Sequence, residues 1–440
     1  MPAQRQCLPR YSRRSVTAAF AAAPLLSALS PQAAYAGGAS RTRALRVRGA
    51  DISFTLQEEA IGNQVRDFHG VVRPIERILA RHGATHVRLR VWTAPPPGYS
   101  DLTSALRLGR RAKQAGLKIL LNLHYSDFWA DPGKQPTPAA WQGQDLPTLA
   151  ETVRQYTRDV VAAFAAQHTP VDWIQIGNEI TSGMLHPIGE LYPTDGRPEQ
   201  WPAFTTLLKA GARGAWEGAP RWRKPKIMLH IDRGGDNEGA RWFFDHMIEY
   251  AVPFDLIGLS YYPIWHGSLA DLKANLDDLA PRYDKDIVVV ETAYPWTSEN
   301  GDDLANFYPG PEPLPDEDRY PATPDGQAAF FEALREILLE VPNGRGVGFF
   351  DWEPGWLPGV GWEPGAGTPN DNLTMFDFEG RALPSLRAFR PPRRRPMTSH
   401  GTRIGAGQRP HEVTLVAPKR GGLRLPRHMA DAAGLRRPIC

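Results

Sequence analysis

Val-Asp-Trp-Ile-Gln-Ile-Gly-Asn-Glu (171–179) and Asp-Ile-Val-Val-Val-Glu (286–291) decide how this chain is read. Both are short, apolar, β-branched runs that stop on a glutamate. Such runs fit strands buried on both faces of a parallel sheet. A carboxylate at the C-terminal tip of a buried strand has no packing reason to be there. In a barrel of parallel strands, that tip is where active sites are assembled. Two carboxylates, Glu179 and Glu291, are also the minimum equipment for breaking a glycosidic bond. One protonates the leaving oxygen, and the other attacks the anomeric carbon or activates water.

Working outward, strand-like and helix-like runs alternate. Strands are predicted near Arg48–Ile52, Thr85–Trp92, Lys118–Tyr125, Val171–Gly177, Lys226–Ile231, Asp255–Ser260, Asp286–Val290 and Val347–Asp351. Helical patterns include Asp101–Ala115, Pro147–Ala166, Asn237–Tyr250 and Asp325–Leu339. Within Pro147–Ala166, the residues Leu149, Val153, Tyr156, Val160, Ala163 and Phe164 recur at helical spacing. Eight strands with helical crossovers predict an α/β fold, a single (β/α)8 TIM barrel. The rival, a doubly wound open sheet, lacks a Gly-x-Gly-x-x-Gly after the first strand. Long loops follow the strands at Ser126–Gln144, Thr181–Gln200, Thr292–Pro324 and Glu353–Asn372. Loops at one end of a rigid scaffold are where binding groups are placed.

Residues 1–36 read as a leader and not as fold. Arg10, Arg13 and Arg14 precede an apolar stretch, Thr17–Leu29, and Ala34-Tyr35-Ala36 supplies a small-x-small cleavage site. Ser12-Arg13-Arg14-Ser15-Val16 also resembles a twin-arginine signal, the alternative to an ordinary basic leader. The expectation is a bacterial protein exported to the periplasm or secreted, with no membrane span and acting as a monomer. The catalytic domain is expected over 37–390. The last stretch, 391–440, carries 11 Lys and Arg against 2 Asp and Glu and no apolar period. It reads as a disordered extension or a polyanion-binding arm. The segment 37–390 holds 36 Lys and Arg against 46 Asp and Glu, although the whole chain is +3. A basic whole-chain balance is thus no argument for a nucleic-acid-binding core. The two cysteines, Cys7 and Cys440, lie outside the barrel segment, which excludes a disulfide framework or thiolate metal site there.

Polar and aromatic groups collect at the strand ends: Asp51, Arg88 and Arg90, then His124, Tyr125 and Asp127, then Asn178 and Glu179. His230 and Asp232, Tyr261 and Tyr262, Glu291 and Trp352 complete the circle. Two carboxyls that work as acid and nucleophile need different surroundings. Arg88 and a tyrosine after the sixth strand are placed to lower the pKa of Glu291. Strand side chains alternate, so only one of Tyr261 and Tyr262 faces inward. Asn178 is placed to hold a sugar hydroxyl. Trp129, Trp265, Trp352 and Trp356 are the better candidates for sugar-stacking platforms, ahead of Trp92 and Trp362. For any single one, core packing is the plainer reading. His124 and His230 sit on different strands without a zinc spacing, so no metal or other cofactor is required for the chemistry. The plain alternative for the glutamates, a pair of salt-bridged barrel residues, fits either alone better than both together.

Longer runs carry a resemblance. Gly-Ala-Asp-Ile-Ser (49–53), Val-Arg-Leu-Arg-Val-Trp (87–92), His-Tyr-Ser-Asp-Phe-Trp-Ala-Asp-Pro-Gly-Lys-Gln (124–135) and Gln-Ile-Gly-Asn-Glu-Ile-Thr-x-Gly-Met-Leu (175–185) are four of them. Leu-Ser-Tyr-Tyr-Pro-Ile-Trp-His-Gly (259–267), Val-Glu-Thr-Ala-Tyr-Pro (290–295) and Asp-Trp-Glu-Pro-Gly-Trp (351–356) are the others. Together these resemble the arabinogalactan endo-β-1,4-galactanases, family 53 of the clan A retaining glycosidases. The resemblance implies Glu179 as acid/base, Glu291 as nucleophile, and internal cleavage, with retention, of the β-1,4-galactan side chains of pectin. The alternatives are another clan A β-glycanase acting on xylan or mannan, or an inactive glycan-binding barrel. Asn122 departs from the family, whose members often carry Asp there. Bacterial members often bind a structural calcium after the seventh strand. Asp302, Asp303 and Asn306 offer oxygen ligands there, as does Asn370-Asp371-Asn372 after the eighth strand, without a calcium-loop spacing.

Overall fold

The computed structural model describes residues 44–391 apart from 194, 311 and 312. The expected leader, and all of the basic tail after residue 391, lie outside the described residues. Eight strands stand where the apolar runs predicted them. They are β1 Val47–Asp51, β2 His86–Val91, β3 Lys118–Leu123, β4 Trp173–Ile176, β5 Lys226–Ile231, β6 Leu256–Ser260, β7 Asp286–Thr292 and β8 Gly346–Asp351. Each pairs in parallel with its neighbours in sequence, and β1 closes on β8. Closure leaves no sheet edge to protect.

The crossovers are helical. They comprise α1 Thr55–Ile61, α2 Ile75–Arg81, α3 Leu102–Gln114, α4 Leu146–Ala166, α5 Trp201–Gly218 and α6 Asn237–Glu249, then α7 Pro263–His266, α8 Leu269–Tyr283 and α9 Pro324–Glu340. Several start on a side chain that accepts an otherwise orphaned backbone N–H. Asp101 caps α3, Asp145 caps α4, Asp236 caps α6 and Thr323 caps α9. Ser268 and Asp271 form a capping box on α8. A short hairpin, Gly183–Met184 with Gly189–Glu190, occupies the loop after β4.

Strand alternation sorts the side chains. Outward residues such as Leu89, Leu121, Ile174 and Val289 pack in the main core with the helices. Inside the barrel, Val47, Leu120, Met228, Leu256, Val288 and Phe350 form a separate apolar plug. Gly258 leaves room beside it, where a Cβ would stand 2.8 Å from the Met228 sulfur and push that side chain aside. Above the plug, towards the C-terminal ends, the inward positions turn polar: Arg88, Asn122, Gln175 and His230 are all buried. The barrel thus has an apolar floor and a polar upper layer.

Candidate active site

Local backbone geometry aims the two glutamates. Between β6 and β7 the register moves from Leu259 opposite Val289 to Ser260 opposite Glu291. Simple alternation would turn Glu291 away, because Val288 and Val290 already belong to the inner plug. The bulge lets Glu291 face inward as well, a re-aiming that bulges commonly perform beside active sites. At the end of β4, Gly177 has φ 81° and Glu179 φ 47°. Glycine adopts that region freely, whereas a glutamate there carries strain held by its surroundings.

Arg88 is the hub. Its Nη1 reaches Glu291 Oε2 at 2.7 Å and Asp51 Oδ2 at 3.0 Å. Its Nη2 donates to Asn178 Oδ1 at 2.7 Å, and its Nε to Gln175 Oε1 at 3.3 Å. The Tyr262 hydroxyl donates to the other oxygen of Glu291 at 3.0 Å. Glu179 has different company. Ser260 Oγ donates to its Oε1 at 2.6 Å, and Ser260 lies 2.8 Å from His230 Nε2. His230 Nδ1 accepts from the Glu179 backbone N–H and from Gln175. Those two donors assign the imidazole proton to Nε2, so His230 donates to Ser260, which donates to Glu179. Burial holds His230 well below its ordinary pKa, and therefore neutral.

Protonation follows from these contacts. Burial first, then the charges of Glu291 and Asp232, push Glu179 well above the ordinary glutamate range. Burial also raises Glu291, but Arg88 opposes it, and so does the hydrogen bond from Tyr262. Arg88 and Tyr262 act in the expected direction without outweighing burial. Of the two carboxyls, Glu179 is the one that keeps its proton. This is the asymmetry an acid and a nucleophile need.

Around the pair lies a cleft of about 300 Å³. Of the residues expected there, Arg88, His124, Trp129, Asn178, Asp232, Tyr262, Trp265 and Trp352 line it with both glutamates. Trp129 stacks on Trp362 at 4.0 Å and 6°, and both indoles face the cleft. Trp265 is 46 % exposed and meets Phe307 edge-on, so its ring is free to carry a sugar.

The chain matches glycosyl hydrolase family 53 over residues 47–389. It belongs to that family. The probable arabinogalactan endo-β-1,4-galactanase A of Aspergillus terreus is 38 % identical over 73 % of this chain and 88 % of its own length. The arabinogalactan endo-β-1,4-galactanase A of Emericella nidulans is 36 % identical, covering 77 % and 92 %. The solved family 53 catalytic domain of Ignisphaera aggregans superposes with a TM-score of 0.72 at 36 % identity, covering 78 % of this chain and 95 % of that one.

Some expected residues of this family 53 barrel stand elsewhere. Tyr261 points outward, its hydroxyl donating to the Gly267 carbonyl while its ring stacks near Phe330. Asp127 accepts from Thr93 and from the Ala139 N–H, tying two loops together away from the cleft. Trp356 is fully buried beneath Trp362, so it backs the aromatic wall and offers no face to a ligand. Asp51 and His230 act one step behind the cleft, on Arg88 and Glu179. The sequence reading missed Asp131, His266 and Phe307 in the lining, and Gln175 and Ser260 behind it. Gln175 carried a signal, a lone amide inside an apolar strand.

Asp302 and Asp303 do not fit a calcium site. The carboxylate of Asp302 accepts N–H bonds from Leu304, Gly359 and Thr368, and Asp303 is exposed. Asn306 fits one in other company. Its Oδ1 and those of Asn370, Asp371 and Asn372 are buried without donors. Buried oxygens that lack donors suit a hard cation. Among the described residues, no three His, Cys, Asp or Glu side chains gather to hold a metal.

Proposed function

We propose that this chain is an endo-acting, retaining hydrolase of β-1,4-galactosidic bonds in arabinogalactan, with Glu291 as nucleophile and Glu179 as acid/base. The observation that carries the reading is the pair of inward carboxyls in contrasting settings within a family 53 barrel. The Glu291 carboxylate attacks the anomeric carbon from one face of the ring. Glu179 gives its proton to the glycosidic oxygen as that bond breaks, and the leaving chain departs as an alcohol. The sugar is then an ester of Glu291. Glu179, now a carboxylate, takes a proton from water, whose oxygen attacks the same carbon and frees Glu291. Two inversions give net retention. Arg88 and Tyr262 hold the charge that Glu291 carries before attack and after release. His230 and Ser260 hold Glu179. Asn178 keeps one amide N–H beyond its bond to the Ala130 carbonyl, suited to the sugar 2-hydroxyl. Trp265 supplies an open face for a neighbouring ring, and Trp352 and Trp362 line the cleft beside it.

Calcium, where bound, would rest on Asn306 and 370–372 and stitch the two long loops. It supplies charge neutralisation there and no step of the chemistry. Export rests on the leader pattern, and among the described residues no helix is long and apolar enough to cross a membrane. A monomer is proposed.

Reducing-sugar release from galactan, xylan and mannan tests the reading. Galactan alone should be cleaved, to oligosaccharides of mixed length. Hydrolysis of xylan or mannan in its place would move the chain to another specificity, and no hydrolysis at all would leave a binding barrel.

A further inference from the structure

At the opposite end of the barrel from the cleft lies a groove that the mechanism does not use. Two adjoining cavities, about 350 and 220 Å³, share Lys118, Asp172 and Arg223. They open where the strands begin, the face of such barrels usually given over to stability. Their lining is lopsided in charge. Arg46, Lys113, Lys118, Arg223, Lys224 and Lys226 face only Asp172 and Asp286. Arg46 meets Asp286 at 3.0 Å and Arg223 meets Asp172 at 2.5 Å. Among the described residues, Lys113, Lys118 and Lys224 make no ion pair. Trp222 directly precedes the lining residues Arg223 and Lys224 in the run Arg221-Trp222-Arg223-Lys224, outside the cavity lining itself, and at 77 % exposure is the barest large apolar side chain described.

The contrast with the rest of the molecule gives the groove a partner. The segment 37–390 is net acidic. The cleft presents Asp131, Asp232 and Glu291, with Glu179 protonated, against Arg88 and Arg90. A polyanion is thus disfavoured in the cleft and favoured at the far end. An indole between cations adds a flat apolar face, which sugar rings use and simple polyanions do not.

We propose that this groove binds a polyuronate, an acidic polysaccharide whose carboxylates pair with the lysines and whose rings pack on Trp222. Its use rests on the galactanase reading. Neutral galactan carried on an acidic chain would be held by one end of the barrel while the other cuts. The binding itself does not depend on that activity.

The test is affinity electrophoresis of the full chain through gels holding polygalacturonate, with galactan hydrolysis measured on the same preparations. The wild type should be retarded at low salt and released at high salt. Arg221→Glu with Trp222→Ala and Lys224→Glu should weaken retention about tenfold, and so should Lys113→Glu with Lys118→Glu. Both variants should keep wild-type galactan hydrolysis. Trp222→Ala alone should weaken retention by polygalacturonate and not by polyacrylate, which has no rings. No retention of the wild type, or equal retention of the variants, overturns the proposal. So does equal sensitivity of both polymers to Trp222→Ala. Retention on polygalacturonate without galactan cleavage would instead strike the proposed activity and leave the groove standing.

Discussion

Replacing Glu353 by Gln should remove this residue's own share of the pH dependence of stability between about pH 5 and 8. Glu353 lies just past β8 with φ 51° and is fully buried. Its Oε1 accepts from Arg90 Nη2 at 3.0 Å, its Oε2 accepts from the Phe54 N–H at 3.3 Å, and it bonds Asp51. Burial, then Asp51, raise its pKa from 4.5 to about 8, against Arg90. The folded value is above the unfolded one. The contribution is therefore complete below the unfolded pKa and is lost as pH rises to about 8. At 1.36 kcal/mol per unit, the loss is about 5 kcal/mol. A glutamine amide keeps a donor for Asp51 and an acceptor for Arg90, gives up the acceptor for the Phe54 N–H at every pH, and has no proton to lose. Asp351 and Glu58 are also raised by burial and further by the charge of Glu353, so removing that charge eases their ionisation and adds to the variant's gain at high pH. Urea unfolding followed by tryptophan fluorescence, repeated across this range, reads the effect. Measured against its difference from the wild type at pH 5, the variant should gain about 4 kcal/mol by pH 8. A difference that stays constant with pH would refute the claim that Glu353 holds a proton.

Three further outcomes are expected. Glu291→Ala should lose several orders of magnitude on every substrate, while Glu179→Ala keeps much of its first step on a dinitrophenyl galactoside. Azide should then give the β-azide with Glu179→Ala and the α-azide with Glu291→Ala, and the opposite products would reverse the two roles. Tyr262→Phe should cost about 10- to 100-fold in kcat/KM, because it removes a hydrogen bond to a buried carboxylate, whereas Tyr261→Phe should leave kcat/KM unchanged. Calcium should raise the Tm of EDTA-treated wild type and not that of Asp371→Ala, and equal response of the two would remove the 370–372 turn as a site.

The barrel was legible because burial on both faces writes continuous apolar runs, and eight of them survive every interruption by loops. The inward pair proposed as catalytic, Glu179 and Glu291, was legible for the opposite reason, since charge at the end of such a run violates the pattern. Tyr261 and Tyr262 show the limit. Alternation says that one faces inward, but choosing between them needs the phase of β6 relative to the bulge in β7. A bulge leaves no mark in Asp-Ile-Val-Val-Val-Glu-Thr. Asp127 and Trp356 fit the strand-end rule yet were spent on loop anchoring and on backing Trp362. Those roles depend on where distant loops return. Ser260 and Gln175 were overlooked because small polar residues near strand ends are common and only their partners give them meaning. Asp302 looked like a ligand by its oxygens, and only the backbone N–H groups around it show that they are taken.

Trapping the covalent intermediate tests the central claim most directly. A 2-deoxy-2-fluoro galactobiosyl fluoride should load the enzyme quickly and leave it slowly, because the fluorine destabilises the charge that develops in both steps. Mass spectrometry of the digested protein should find one added disaccharide, on the peptide carrying Glu291, and Glu291→Ala should take up none. A label on Glu179, or no label together with release of the inverted anomer, would contradict the account.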